Sequence, residues 1–227
     1  MLNDPAPEDE HSKFQASWFK TYDKLPIGTK EEPNPLYGFI TVDPGGRKKG
    51  SDEWAFMVSY ADSRFDLYFH RLIRGHFRMD KAIEILFNLV SEVGPIATGL
   101  ETTGAQKYLL EAIQDEMRRR GVYFYIVPLA HAVHSKEVRI LRLVPRYECG
   151  SIFHSREMGP LEDQLRRFPK GADDLGDVAS MVLEVAVSPR SIKQKRKTDM
   201  TVDDMVWAQI NKDRKRKPAH SMLGDNC

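Results

Sequence analysis

The chain has 227 residues, 34 Lys and Arg against 33 Asp and Glu, and 41% hydrophobic side chains. That leaves room for one sizeable domain with extensions, or at most two small ones, and for a real core. Two cysteines exclude a disulfide framework. No apolar run reaches membrane-spanning length, and the first residues lack the basic-then-apolar layout of a signal peptide, so a reducing, cytosolic setting is expected.

Charge is segregated along the chain. The leader carries "NDPAPEDE", whereas residues 190–217 hold ten Lys and Arg against four acids. Residues 1–35 read as a proline-rich N-terminal extension with one anchoring segment, "FQASWFKTYDKL", a short helix with Phe14, Trp18 and Tyr22 spaced to dock. Residues 36–188 read as the folded domain and 189–227 as a basic tail.

Order begins with "LYGFITVD", a β-prone run ending in the turn "PGG". "EWAFMVSYA" and "RFDLYFHRLI" follow as strands of an antiparallel meander joined by a short turn. "DKAIEILFNLVSEVG" places Ile83, Leu86, Val90 and Val93 at helical spacing before a glycine stop. "PIATGLE" reads as a short buried strand. "AQKYLLEAIQDEMRRRG" reads as a helix with Tyr108, Leu109, Ala112, Ile113 and Met117 inward, its cations and Gly121 suiting a C-terminus. "VYFYIVP" is a strand, "SKEVRILRLVPR" one helix, "GSIFH" a short or edge strand, and "MGPLEDQLRRF" and "DDLGDVASMVLEVAV" two last helices. The pattern predicts an α/β fold, a mixed sheet flanked by helices.

Asp43 closes the first of these strands and Glu101 the fourth. If the two pair in parallel, both carboxylates emerge at one edge of the sheet, where such sheets place their sites. Asp174 and Asp177, three residues apart at the start of the last helix, share a face. Each acid alone has an ordinary explanation as turn residue, strand end or helix start. Together they predict four carboxylates in one small volume, where like charges raise one another's pKa unless cations intervene. Oxygen donors without sulfur or paired imidazole favour Mg²⁺ or Mn²⁺, and two such ions suit in-line phosphoryl displacement.

The segments "FITVDPGG…GSDEWAFMV", "GLETTG", "HSKEVRI…LVPRYECGSIFH" and "KGADDLGDVAS" resemble the C-terminal nuclease domain of the large terminase subunit of tailed bacteriophages. The likeness covers about residues 36–188 and implies an RNase H-like fold related to RuvC-type resolvases. It implies Asp43, Glu101 and the Asp174/Asp177 pair as ligands of two Mg²⁺ or Mn²⁺ ions, while Asp173 by its spacing suits the helix N-cap. It further implies endonucleolytic cleavage of concatemeric double-stranded DNA during viral genome packaging in the infected host cytoplasm. Low sequence specificity is expected because nothing in the sequence resembles a base-reading helix or finger. Portal protein, procapsid and the small terminase subunit are the implied partners. A junction-resolving or RNA–DNA hybrid nuclease, and a non-catalytic DNA- or portal-binding module, are the competing readings. The P-loop pattern G-x-x-x-x-G-K-S/T of the family's ATPase half is missing from these 227 residues.

Six cations are candidates for DNA phosphates: Arg47, Lys48 and Lys49 in the loop after Asp43, and Lys136, Arg139 and Arg142 at i, i+3, i+6 on a helix matching the family's basic positions. Asp52 is a further acid near the site by sequence. His131 and His134 suit a structural or phosphate role better than zinc. The tail's "RSIKQKRK" and "KDRKRK" suit sequence-independent attraction to DNA, and the Trp207 segment suits a portal-contacting helix.

Overall fold

The strand Tyr37–Asp43 (β2) sets the frame, because its residues alternate between two covered faces: Phe39, Ile40 and Val42 are all buried, and Thr41 with them. A run buried on both sides needs helices above and below it. The computed structural model describes residues 12–28, 34–45, 53–102, 107–130 and 135–187. It supplies those helices around a seven-stranded mixed sheet.

Trp54–Ala61 (β3) and Leu67–Gly75 (β4) continue β2 as an antiparallel meander. The turn between them is organised by the buried Asp62 carboxylate, which accepts the backbone N–H groups of Arg64 and Asp66 at 2.9 Å each. On the other side of β2 lie Ala97–Glu101 (β5) and Ile126–Leu129 (β6), both parallel. Ile152–His154 (β7) runs parallel to β4, and Lys20–Thr21 (β1) adds a parallel edge beyond it, giving the order β1-β7-β4-β3-β2-β5-β6.

Helix Met79–Val93 (α1) buries Ile83, Leu86 and Val90 as their spacing predicts, and ends on Gly94 in the left-handed conformation. In Lys107–Arg120 (α2), Leu109, Ile113 and Met117 are buried, but Tyr108 is 73% exposed, not inward. The stripe runs at i, i+4, i+8 from Leu109, and Tyr108 sits one helical step, about 100°, off its centre.

The other face carries Lys136–Leu141 (α3), Val144–Glu148 (α4), Gly159–Arg167 (α5), Asp174–Ser180 (α6) and Val182–Val185 (α7). The single helix expected over 135–146 is two, because Pro145 opens a new helix and cannot continue the old one. α6 and α7 are nearer the expected single helix: Met181 between them keeps right-handed helical angles, with Ser180 Oγ donating to the Asp177 carbonyl at 2.7 Å.

The N-terminal segment is a single 3-10 turn, Ala16–Trp18, followed by β1, where a short helix is expected. Phe14 is 1% exposed and packs edge-on against Tyr147 and Phe168. Beside it, His154 is fully buried between the Tyr147 hydroxyl and the Glu162 carboxylate, each at 2.8 Å. Among the described residues, no helix is long and apolar enough to cross a membrane.

Candidate metal centre

The register of β2 with β5 decides where two of the acids go. Thr41 pairs with Gly99 and Val42 with Leu100, so Asp43 and Glu101 follow at the same sheet edge and on the same face. α6 crosses that face. Thr41 Oγ1 donates to the Val178 carbonyl at 2.8 Å, tying β2 to the turn of α6 that carries Asp177. α7 lies directly over β5 because Gly99 has no side chain: a Cβ there would stand 2.5 Å from Val185 Cγ2. α3 also approaches α6 at a glycine, though less tightly: a Cβ on Gly176 would stand 3.3 Å from Ile140 Cδ1.

These contacts bring Asp43, Glu101 and Asp177 together, each offering a carboxylate oxygen within 4.8 Å of the others. Asp177 is 3% exposed, and the other two are partly buried. Burial is the main force on Asp43, followed by a hydrogen bond and charge repulsion from Glu101 and repulsion from Asp177; its pKa is pushed up to about 8, with Lys136 opposing the shift. Without a cation, Asp43 keeps its proton near neutral pH, in a hydrogen bond with Glu101.

Asp174 stands apart from this trio. Its carboxylate is bonded by Lys136 Nζ, which also reaches Asp173 Oδ1 at 2.8 Å. Burial disfavours the Lys136 ammonium, but the bonds to Asp173 and Asp174 together outweigh that and raise its pKa. Asp173 does occupy the N-cap position, yet its side chain makes no capping bond and serves Lys136 instead.

The three cations at i, i+3, i+6 line one face, but that face meets acids of α6 and α7. Lys136 takes Asp173 and Asp174, Arg139 takes Asp177, and Arg142 Nη1 meets Glu184 Oε1 at 3.2 Å. Arg139 is the most enclosed of them, its Nε 2.9 Å from Asp177 Oδ1 and its Nη2 2.5 Å from Oδ2. With a side chain 8% exposed, it does not present its charge to a phosphate at the surface. The cations of α3 and the acids of α6 share a three-residue spacing, and helix packing rather than spacing joins the two sets. Thr41, Ser180 and Gly99, which seat the helix, carried no signal beyond being small or polar in apolar runs. Arg47, Lys48, Lys49, Asp52, His131, His134 and the basic tail lie outside the described residues.

The donor set is hard oxygen only, in three carboxylates from separate elements, and fits a divalent cation such as Mg²⁺ or Mn²⁺. No protein-family profile matches the chain, and no curated protein matches it in sequence. Solved structures do. The large terminase nuclease of thermophilic phage G20c with bound zinc superposes with a TM-score of 0.53 at 20% identity, covering 74% of this chain and 94% of that one. This chain has the large terminase nuclease fold. The same G20c nuclease with bound magnesium gives a TM-score of 0.49 at 17% identity over 72% of this chain and 91% of that one. The Thermus phage P74-26 large terminase nuclease domain gives 0.48 at 17% identity over 73% and 90%. The seven-stranded mixed sheet of this chain, flanked by helices, agrees with the RNase H-like fold that the resemblance implies.

Proposed function

We propose that the chain is a metal-dependent endonuclease that hydrolyses double-stranded DNA, acting on concatemeric viral genomes during packaging in the host cell. The observation that carries this reading is the meeting of Asp43, Glu101 and Asp177 from β2, β5 and α6. Three carboxylates held this close in a partly dry pocket call for a cation, and the fold is shared with a nuclease whose structure holds a metal.

Asp43, Glu101 and Asp177 are the ligands in this proposal. Asp174 is left out of the set, because Lys136 holds it, and acts by setting local charge. When bound, divalent ions supply charge neutralisation and water activation for phosphodiester hydrolysis. The chain's own part is to hold three oxygens in place, to release the proton kept on Asp43, and to keep α6 fixed against the sheet. Arg47, Lys48 and Lys49 are proposed to track the DNA backbone, as is Lys136 at the pocket rim. The tail is proposed to add salt-dependent attraction to DNA or a portal contact, and low sequence specificity is expected.

The test is supercoiled plasmid incubated with Mn²⁺ or Mg²⁺ and wild type, Asp43→Asn or Asp177→Asn protein. Nicking by wild type alone supports the reading. Equal nicking by all three points to a contaminant and to a binding module. A panel of linear duplex, four-way junction and RNA–DNA hybrid then ranks substrates, and preference for either of the last two overturns the packaging assignment.

A further inference from the structure

We infer that Arg139 is a positioning residue for the metal centre: its guanidinium locks the Asp177 carboxylate in one orientation and, by its charge, keeps metal affinity low until DNA adds its own ligands. The inference rests on the ligand set proposed above.

The geometry is a two-pronged grip. Nε meets Oδ1 at 2.9 Å and Nη2 meets Oδ2 at 2.5 Å, with the two side chains only 8% and 4% exposed. A carboxylate has about four lone-pair sites, two on each oxygen. The fork takes one on each, so Asp177 has less room to chelate an ion through both oxygens and is set up to offer a single one. Nor is the carboxylate able to turn away. α6 is pinned by the Thr41 Oγ1 bond to Val178, and Arg139 and Ile140 lie side by side on α3, where Ile140 packs against Gly176. One helix–helix contact thus fixes both the guanidinium and the ligand it holds.

The charge acts on the same group. The guanidinium sets its positive charge within hydrogen-bonding distance of a proposed ligand. It repels an incoming divalent ion and draws electron density from Asp177. A partner that donates to a ligand carboxylate thus trades affinity for order, the reverse of the acidic partners that strengthen ligating histidines.

The test uses the full chain with Arg139→Gln, Arg139→Lys and Asp177→Asn. Mn²⁺ affinity without DNA is read by titration of the free-ion paramagnetic resonance signal, and single-turnover plasmid nicking is read at saturating Mn²⁺. Both are done at a temperature where near-ultraviolet circular dichroism shows each protein folded. Arg139→Gln is expected to bind Mn²⁺ at least about threefold more tightly and to nick at least about tenfold more slowly. Arg139→Lys keeps the charge but not the fork, so affinity stays within about twofold of wild type while nicking falls at least about fivefold. A residue needed only for folding lowers binding and rate together, and that result overturns the inference. So does wild-type nicking by folded Arg139→Lys, which decides the matter even if Arg139→Gln does not fold. Absence of Mn²⁺ binding to wild type overturns the ligand reading and this inference with it. Binding to wild type that is lost in Asp177→Asn, with both Arg139 variants unchanged, overturns this inference alone.

Discussion

Asp43 bears opposing demands, to stay beside two other carboxylates and to remain partly out of water. Its pKa, raised to about 8 from an ordinary 3.8 chiefly by burial and then by Glu101, has a consequence for stability. The folded chain without metal binds a proton that the unfolded chain has already lost, so stability falls as pH rises from about 4 through about 8. We predict that the thermal midpoint without metal declines across that window, that Asp43→Asn flattens the decline, and that Mn²⁺ binding near neutral pH releases a proton, measurable by calorimetry in buffers of different ionisation enthalpy. A midpoint that rises over the same window contradicts the assignment. The pocket also ranks its acids. Asp174, held by Lys136, acts through its neighbours, so Asp174→Asn is expected to slow nicking by no more than about 100-fold, the upper range for residues outside the ligand set, whereas Asp177→Asn slows it further. Truncating Arg139 is predicted to lower stability by about 3–5 kcal/mol, since it strands Asp177 as a buried charge, and chemical denaturation checks this.

The elements were legible where one side of them is apolar. The spacing of Ile83, Leu86 and Val90 gave α1, and the short apolar runs ending in Asp43 and Glu101 gave two strands whose parallel pairing puts both acids at one edge. What spacing could not supply was the rotation of a helix relative to its neighbours. Asp174 and Asp177 share a face by the helical period, but only the packing of α3 against α6 decides that one meets the sheet acids and the other meets Lys136. Likewise the i, i+3, i+6 cations were readable as a face, and not as a face turned toward acids of α6 and α7. β1 left no pattern at all, being two exposed residues held by β7. Gly99 shows how narrow these placements are. Gly99→Ala puts a methyl 2.5 Å from Val185 Cγ2 and 3.3 Å from Thr41 Cγ2, and is predicted to cost about 1–3 kcal/mol by overpacking. Adding Val185→Ala makes room, so the double variant should be more stable than the sum of the two single losses implies, as a denaturant double-mutant cycle measures. Strict additivity argues against a tight seat for α7 on β5.

At the scale of the molecule, the sheet edge that gathers the three carboxylates and the N-terminal segment are linked by a short series of contacts. Phe14 sits against Tyr147 of α4 and Phe168 at the end of α5. α5 in turn presents Gln164 Oε1 to the Leu175 N–H at 2.9 Å, in the first turn of α6. Phe19 stacks on the buried His154, whose partners Tyr147 and Glu162 belong to the same two helices. The segment therefore clasps the far end of the helical layer that supports Asp177, although it precedes every strand of the central meander. Phe14→Ala removes a ring that is 1% exposed, and is predicted to lose about 3–5 kcal/mol, or roughly 6–20 °C in thermal midpoint for a chain of this size. The proposed ligands are held by β2, β5 and the contact of α6 with α3, whereas the ring contacts of Phe14 are with Tyr147 and Phe168. Well below the new midpoint, nicking at saturating Mn²⁺ should therefore stay within about threefold of wild type, the scale of a loss spread over distant, nearly independent sites. A much larger loss in fully folded protein shows instead that the clasp reaches Asp177 through Gln164, and Gln164→Leu should then reproduce it without the drop in midpoint.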